Sequence, residues 1–266
     1  MQPSDNTAKL DQDMSRQMQQ ALTCGKDELF GVIQEHKSEV LIAALRNPDL
    51  DEHHLLAMFK RRGLTEELFN AIYGNRKLLQ NNKVKFALVC HADAPVHIAQ
   101  TILPQLMIFE LVKICQMPVI NADLRMAAER AIIQRLPTQP LGNKLAMARR
   151  GTAHIVEVLI KEGLPQVVEA CLDSPHLKEG AVHQFITSFH ANAETISMVA
   201  RHAKWKTRPN IRFAILKNPR TPLIWFTNFL PTMLPQQLRD LLAMPKLAAA
   251  QKDLVRKLLN GKGKQH

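Results

Sequence analysis

The stretch RHAKWKTRPNIR, residues 201–212, combines several cations with one indole ring. Lys and Arg side chains bind phosphates or carboxylates, and an exposed Trp stacks on a base or anchors in a pocket of a protein partner. The candidate macromolecule-binding residues are Arg201, Lys204, Trp205, Lys206, Arg208 and Arg212. In the competing interpretation, the Trp205 ring packs in the core and the cations merely solvate a corner between helices.

The positive charge of the chain is concentrated in its last quarter. The formal net charge of the whole sequence is +11. Residues 200–266 hold fourteen Lys and Arg against only Asp240 and Asp253, a net charge of +12, whereas the 199 residues before them have a net charge of −1. This asymmetry indicates an anionic partner and says nothing about the fold.

The sequence lacks the motifs of common catalytic and metal sites. It has no G-x-G-x-x-G and no G-x-x-x-x-G-K-[ST] pattern, and neither H-E-x-x-H nor C-x-x-C occurs. His183 and His190 are seven residues apart, but no Cys or carboxylate joins them at ligand spacing. The cysteines are scattered through apolar stretches, as reduced core thiols are: Cys24, Cys90, Cys115 and Cys171. We expect no catalytic residue, no metal and no cofactor.

The composition favours helices. Hydrophobic residues make up 46% of the chain but aromatic residues only 5%, and Leu, Ala, Ile, Val and Met dominate. Sustained alternation of Val, Thr and Tyr is absent, so we expect essentially no sheet. The N-terminal stretch has no apolar signal-peptide core, and no apolar run approaches the length of a membrane span. These features predict a cytoplasmic protein without a membrane partner.

A repeated motif explains why the apolar run FAILKNPRTP, residues 213–222, stops at Asn-Pro. Similar segments occur at 42–51, 86–95 and 169–178, and their core positions form one column: Leu45, Val89, Leu172 and Leu216. Residues 84–118 also align with 211–245 without a gap, at an offset of 127. The spacing of 44 residues between neighbouring copies falls in the length class of HEAT and armadillo repeats.

The local chemistry of this motif predicts a helix, a corner and a second helix. Asn218 precedes a proline and is therefore pushed out of the helical region, so the first helix must end at Lys217. Pro219 starts the corner, Thr221 is expected to cap the next helix, and Pro222 suits its first turn. Stacked units of this kind bury a shared core and form a right-handed α-solenoid with a concave face.

The stretch IRFAILKNPRTPLIWFTNFL resembles the leucine-rich repeat variant, a helical repeat of roughly 24 residues in the wider HEAT-like group, and Gly151–Pro175 fits the same unit. The resemblance covers residues 38–259 and is most specific at 211–231. It implies an all-α, right-handed α-solenoid. Some family members carry an iron–sulfur cluster on a compact N-terminal group of cysteines. Cys24 stands alone here, so the cluster is not carried over.

The predicted organisation has four parts. Residues 1–8 are expected to be disordered, 9–37 to form N-terminal capping helices, 38–259 to form the repeat domain, and 260–266 to be a basic disordered tail. The stripe of Leu10, Met14, Met18 and Leu22 favours a helix that covers the first repeat, although a detachable helix that docks on a partner fits the same pattern.

Three functions are compatible with these features. The favoured one is a non-enzymatic scaffold that binds another macromolecule, a protein above all, on its concave face. The second is nucleic-acid binding through the basic C-terminal quarter. The third is an alkylpurine DNA glycosylase of the HEAT-like type, in which Trp205, Trp225 and Asp240 would fill the nominal roles, although no matching motif surrounds them.

Overall fold

The computed structural model describes residues 4–35 and 37–262, and side chains within 12–34 and 37–260. Regular structure in these residues is entirely helical: eighteen α-helices and four short 3₁₀-helices, with no strand. The chain divides into two compact units, Met1–Ile132 and Ile133–His266. The predicted all-α class is confirmed.

The first unit contains α1 to α8, and α9 crosses its boundary. The helices are α1 (Ser4–Thr23), α2 (Lys26–Glu35), α3 (Ser38–Ala44), α4 (Glu52–Met58), α5 (Glu66–Gly74), α6 (Asn82–Cys90), α7 (Val96–Ile102), α8 (Ile108–Gln116) and α9 (Ala122–Arg135). Alternate helices contact each other: α1, α3, α5 and α7 form one row, and α2, α4 and α6 form the other.

The second unit repeats this arrangement. Its helices are α10 (Leu141–Arg150), α11 (Ala153–Ile160), α12 (Pro165–Leu172), α13 (Glu179–Thr187), α14 (Ala193–Arg201), α15 (Pro209–Lys217), α16 (Leu223–Phe229), α17 (Pro235–Ala243) and α18 (Ala249–Lys262). One row contains α11, α13, α15 and α17, while α10, α12 and α14 contact in sequence and α16 packs on α18.

The two units are copies of one helical pattern. Each helix from α2 to α9 begins 127 residues before its counterpart among α11 to α18, and the last five pairs also end 127 residues apart. The offset read from residues 84–118 therefore extends over most of the chain. The aligned core column is buried in both units: Leu45, Val89, Leu172 and Leu216.

The Asn-Pro corner ends the helix as predicted, but one of its caps differs. The helix α15 ends at Lys217, and Asn218 has extended backbone angles, φ −82° and ψ 123°. Thr221 was expected to cap α16, and this prediction is wrong. Its hydroxyl donates to the carbonyl of Ile215 at 2.5 Å, back in the preceding helix, and Pro222 occupies the N-cap position.

Asn218 joins its corner to an earlier one. Its side-chain amide donates to the carbonyl of Ile186 at 2.6 Å, and its side-chain oxygen accepts from the backbone N–H of Arg220 at 2.9 Å. Asn47 in the first unit does the same: its amide donates to the carbonyls of Ala21 and Cys24, both at 2.9 Å. These buried amides satisfy backbone groups that would otherwise lose their hydrogen bonds to water.

Histidine performs the same task at two other corners. The Nε2 of His91 lies 2.7 Å from the carbonyl of Arg61, and its Nδ1 lies 3.1 Å from the N–H of Asp93. A carbonyl only accepts and a backbone N–H only donates, so Nε2 carries the proton and Nδ1 accepts. His202 contacts the carboxylate of Asp173 and the N–H of Lys204 in the same way. These histidines are joints between repeats.

The start of α4 is held by a charged cap. The carboxylate of Asp51 accepts from the N–H groups of His53 and His54, and Lys26 Nζ lies 2.6 Å from Oδ2. Burial alone would raise the pKa of Asp51. The hydrogen bond from Lys26 and the two backbone N–H groups oppose it and lower the pKa to about 2.

At the termini, helix extends into segments that were expected to be disordered. The helix α1 begins at Ser4, so residues 4–8 are helical, and α18 continues through residues 260–262. The remainder of both segments lies outside the described residues. In the predicted capping helix, Met14 packs against the core formed by α1, α2 and α3, whereas Met18 and Leu22 stay exposed. The side chain of Leu10 lies outside the described part.

Candidate macromolecule-binding surface

The predicted binding stretch lies in the connection between α14 and α15. Residues 202–208 form this connection, and the side chains of Lys204, Lys206 and Arg208 are exposed on it. Arg201, the last residue of α14, is also exposed, and its Nε donates to the carbonyl of Ser197 at 3.2 Å. The structure thus brings these four cations to one corner of the second unit.

Trp205 does not belong to that exposed set. Only 1% of its surface is accessible, and its Nε1 donates to the carbonyl of Leu172 at 3.2 Å. The ammonium of Lys204 lies 4.4 Å from the centre of the indole ring. The expectation that this ring contacts a base or a partner is therefore corrected. A buried indole with its N–H satisfied contributes more to the core than it would to an exposed corner.

Arg212 stabilises the corner from within. Its Nε donates to the carbonyl of Lys206 at 2.5 Å, and its guanidinium lies 5.8 Å from the centre of the Phe229 ring. The side chain is half-buried. Arg212 therefore holds the connection in place, and the exposed cations of the connection are the ones that can reach a partner.

The basic excess is not neutralised within the part of the chain that the structure describes. Among the described Lys and Arg side chains between residues 200 and 260, one pairs with a carboxylate, Arg256 with Asp253 at 2.8 Å. The other acid, Asp240, accepts from the amide of Gln236 at 3.0 Å. Among the described residues, no carboxylate lies within 4.0 Å of Lys204, Lys206 or Arg208. Unpaired surface cations attract anionic groups at a distance.

A second basic feature lies at the opposite end of α15. A groove of about 410 Å³ lies among the corner after α13, the corner after α15 and the end of α17. We call it the Phe189 groove. Its lining residues include Phe189, Lys217, Arg220 and Lys246. The residues that line it include three cations and no acid.

Phe189 is the most unusual residue of this groove. It is 76% exposed, and its ring lies against that of His190, with centroids 3.8 Å apart and the ring planes tilted by 36°. Arg220 fixes the backbone around it, because its Nη1 donates to the carbonyl of Phe189 at 2.5 Å and to that of Ala191 at 3.0 Å. Arg220 thus restrains the backbone from which the exposed ring extends.

Consecutive corners of the second unit adjoin one another here. Gly163 has a φ of +72°, and a Cβ at this position would lie 2.8 Å from the carbonyl oxygen of His190. Arg220 links the next pair of corners, and Gln251 donates to the carbonyls of Pro219 and Thr221 at 3.1 and 2.9 Å. Exposed apolar side chains lie at or directly after these corners: Leu164, Leu223 and Ile224. We call these corners, residues 161–164, 188–192 and 218–222, the corner row.

The first unit has a different composition at the positions 127 residues earlier. Arg62, Cys90, Asp93 and Val119 stand where the Phe189 groove has Phe189, Lys217, Arg220 and Lys246. The carboxylate of Asp93 accepts from the N–H groups of Gly63 and Leu64 at 2.6 and 3.2 Å. Asp93 therefore binds backbone donors where Arg220 binds backbone acceptors. The corner is held in both units, but only the second unit places three cations there.

Sequence inspection missed the Phe189 groove because its residues come from separate corners. The comparison at offset 127 was one available indication, since it shows Asp93 replaced by Arg220 and Val119 by Lys246. The exposure of Phe189 has no local signature, because a Phe in an apolar helical repeat is ordinarily a core residue.

The residues nominated for a glycosylase are engaged in packing or lie on the surface. Trp225 is half-buried, its Nε1 donates to the hydroxyl of Ser197 at 2.9 Å, and its ring stacks on Phe229. Asp240 is exposed on α17. With Trp205 buried as well, neither indole ring presents a free face and a free N–H to a base.

The cysteines occupy environments that suppress their reactivity. Burial raises the pKa of Cys90 and Cys115 to about 11 and that of Cys171 to about 12, and it also raises the pKa of Cys24. The described residues contain no group of three or more His, Cys, Asp or Glu side chains that could hold a metal ion.

No family model, no curated protein and no solved structure matches the chain. The resemblance to the leucine-rich repeat variant thus stays a prediction. None of the described helices is both long and apolar enough to cross a bilayer.

Proposed function

We propose that this chain is a non-enzymatic helical-repeat protein that binds another protein, and that the basic corners of its second unit contact acidic groups of that partner. One observation carries the proposal. The cations of residues 201–208 are exposed, and no carboxylate among the described residues neutralises Lys204, Lys206 or Arg208. A protein partner with acidic side chains would supply the missing counter-charges.

The fold that we propose for this function is a right-handed α-solenoid of HEAT-like repeats, similar to the leucine-rich repeat variant. The alternate-helix contacts within each unit support it, because stacked two-helix repeats produce such contacts. Repeats of this kind offer a concave row of helices and two rows of corners to a partner. Cytoplasmic localisation is part of the same proposal.

A protein partner fits the exposed side chains better than a nucleic acid does. The second unit exposes Phe189 in the Phe189 groove and Leu164, Leu223 and Ile224 at or directly after its corners. Protein interfaces have apolar and aromatic side chains at the centre and arginine among their enriched residues, whereas nucleic-acid interfaces are more polar and more positive. The burial of Trp205 also removes the stacking residue on which the nucleic-acid hypothesis relied.

Nucleic-acid binding is retained as the second candidate because the net charge of +12 in residues 200–266 favours any polyanion. The two candidates differ in their response to salt. Three lost phosphate contacts would reduce the slope of log affinity against log salt by about 2–3 units.

The test removes three charges from each unit in turn. The first variant is Lys204→Ala, Lys206→Ala, Arg208→Ala. The matched control is Arg76→Ala, Lys77→Ala, Lys83→Ala, which removes three exposed cations from the equivalent connection and helix start of the first unit. Wild type and both variants are immobilised, and proteins retained from a cell extract at physiological salt are quantified by mass spectrometry. An oligothymidylate and a DNA duplex are titrated in parallel over a range of salt.

We expect proteins retained by wild type and by the control to be lost from the first variant, with oligonucleotide binding that disappears at physiological salt. Oligonucleotide binding that persists at physiological salt and weakens in the first variant would establish the nucleic-acid candidate instead. Equal retention by all three proteins would show that the connection between α14 and α15 is not the contact surface.

A further inference from the structure

The Phe189 groove has the features of an anchoring site. Phe189 is 76% exposed, and leaving an apolar side chain in water is unfavourable relative to burying it, by about 25 cal/mol for each Å² of apolar surface. Arg220 restrains the backbone on both sides of His190, and the Phe189 ring itself lies against the His190 ring. An exposed aromatic side chain has few rotatable bonds, so it loses little side-chain entropy when a partner covers it.

The chemistry around the ring identifies what covers it. Lys217, Arg220 and Lys246 line the groove with Phe189, and its lining includes no acid. The ammonium of Lys217 lies 4.2 Å from the centre of the Phe213 ring, so this cation is partly desolvated already. The groove volume of about 410 Å³ lies within the range of about 300–1,000 Å³ typical of binding clefts. An occupant must therefore offer an apolar group to Phe189 and negative charge to the cations.

We infer that the Phe189 groove is the docking site for an acidic peptide segment of the protein partner, with an apolar side chain of that segment packed on Phe189 and its carboxylates on Lys217 and Lys246. This inference rests on the proposed function. A peptide is favoured over a nucleic acid because Phe189 is exposed in the groove and further apolar side chains, Leu164, Leu223 and Ile224, are exposed at or directly after the corners of the same unit. A phosphate backbone gains nothing from these side chains.

The test selects peptides that bind the immobilised full-length protein from a random display library of short peptides. The variant is Phe189→Ser with Lys246→Glu, two exposed positions whose substitution leaves the core intact. The matched control is Leu234→Ser with Lys257→Glu, which makes the same kinds of change outside the groove, at the exposed residue before α17 and at an exposed residue of α18. A labelled oligothymidylate is titrated against all three proteins.

We expect wild type and control to enrich peptides that combine Asp or Glu with Leu, Ile or an aromatic residue, and the variant to enrich none of them. A synthetic peptide with one of the enriched sequences should bind the variant at least about tenfold more weakly than it binds wild type. Phe189→Ala alone should also weaken binding of this peptide, whereas the control variant should bind it as tightly as wild type does.

Three outcomes would overturn the inference. Peptides enriched equally on wild type and variant, but lost when Lys204, Lys206 and Arg208 are replaced by Ala, would refute this groove while leaving the proposed function in place. Enrichment of basic or neutral peptides, or of no peptide at all, would refute the acidic segment. Oligothymidylate binding that Phe189→Ala weakens, without peptide enrichment, would assign the groove to nucleic acid and refute the protein partner as well.

Discussion

Replacing Asn218 by Asp tests whether the buried amides at the corners join neighbouring repeats. Asn218 is 9% exposed, donates to the carbonyl of Ile186 and accepts from the N–H of Arg220. Aspartate has nearly the same shape and keeps the acceptor, but when ionised it turns a carboxylate oxygen toward the carbonyl of Ile186. The perturbation thus removes one donor and adds one buried charge without changing the packing.

The expected loss follows from these contacts. A buried acceptor left without its donor costs about 1–3 kcal/mol, and a buried charge adds to this. Lys217 and Arg220 line the same groove as Asn218, so their charges offset part of that addition. We expect Asn218→Asp to reduce the free energy of unfolding by about 2–3 kcal/mol at neutral pH.

The pH dependence gives the sharper test. Burial disfavours the ionised form, so a carboxyl at this position should have a pKa above its unfolded value of about 4. The penalty is then complete above this raised pKa, shrinks as the pH falls from it toward about 4, and is smallest below about 4, because the protonated acid again donates to Ile186. The assay is urea unfolding of wild type and variant at neutral pH and at about pH 3, followed by the fluorescence of Trp205 and Trp225, the two tryptophans of the chain.

The control is Asn228→Asp, on the exposed surface of α16, which should change the stability by less than about 0.5 kcal/mol. A penalty at Asn218 that is equally large at both pH values would contradict the proposed hydrogen bond to Ile186. A penalty no larger than that of the control would show that the corner amides do not join the repeats.

Three further predictions concern stability. Trp205→Phe keeps the ring in the core but removes the bond to the carbonyl of Leu172, so urea unfolding should show a loss of about 1–3 kcal/mol while binding of the partner is unchanged. Leu216→Ala should cost about 2–5 kcal/mol, and a trivial loss would refute the register of the repeat. Because the pKa of Asp51 is lowered to about 2, this residue contributes stability that is complete above about pH 4 and is lost as the pH falls toward 2. Asp51→Asn loses the ion pair with Lys26, so its melting temperature should depend less on pH over that range, by the equivalent of about 1 kcal/mol. Circular dichroism melts measure this, and an unchanged pH dependence would contradict the prediction.

The helices and their ends could be predicted from sequence because they depend on neighbouring residues. Asn218 ahead of a proline cannot continue the helix, and α15 indeed ends at Lys217. The internal match at offset 127 predicted a repeated arrangement, which the element bounds of both units bear out. The concentration of positive charge in the last quarter is likewise a property of the sequence alone.

The details of each corner were harder to predict, because the residue that caps a helix depends on where the helix begins. Thr221 was expected to cap the helix that follows, yet its hydroxyl donates to Ile215 in the helix before it. The helix α16 begins at Leu223, which leaves Pro222 at the N-cap position and Thr221 one residue too early to cap it. His91 and His202 illustrate the same limit, since nothing local distinguishes a histidine that acts as a joint from one in solvent.

Sequence by itself therefore determined the helical class, the places where helices stop, the repeat offset and the basic last quarter. Tertiary structure alone decided which aromatic residue is accessible. Trp205 is buried, with its N–H bonded to the carbonyl of Leu172, 33 residues earlier, whereas Phe189 is exposed at a corner whose backbone Arg220, 31 residues later, restrains. Helix ends follow from steric restrictions within a few residues, whereas burial depends on contacts between residues more than 30 positions apart in the chain, which no short stretch of sequence contains.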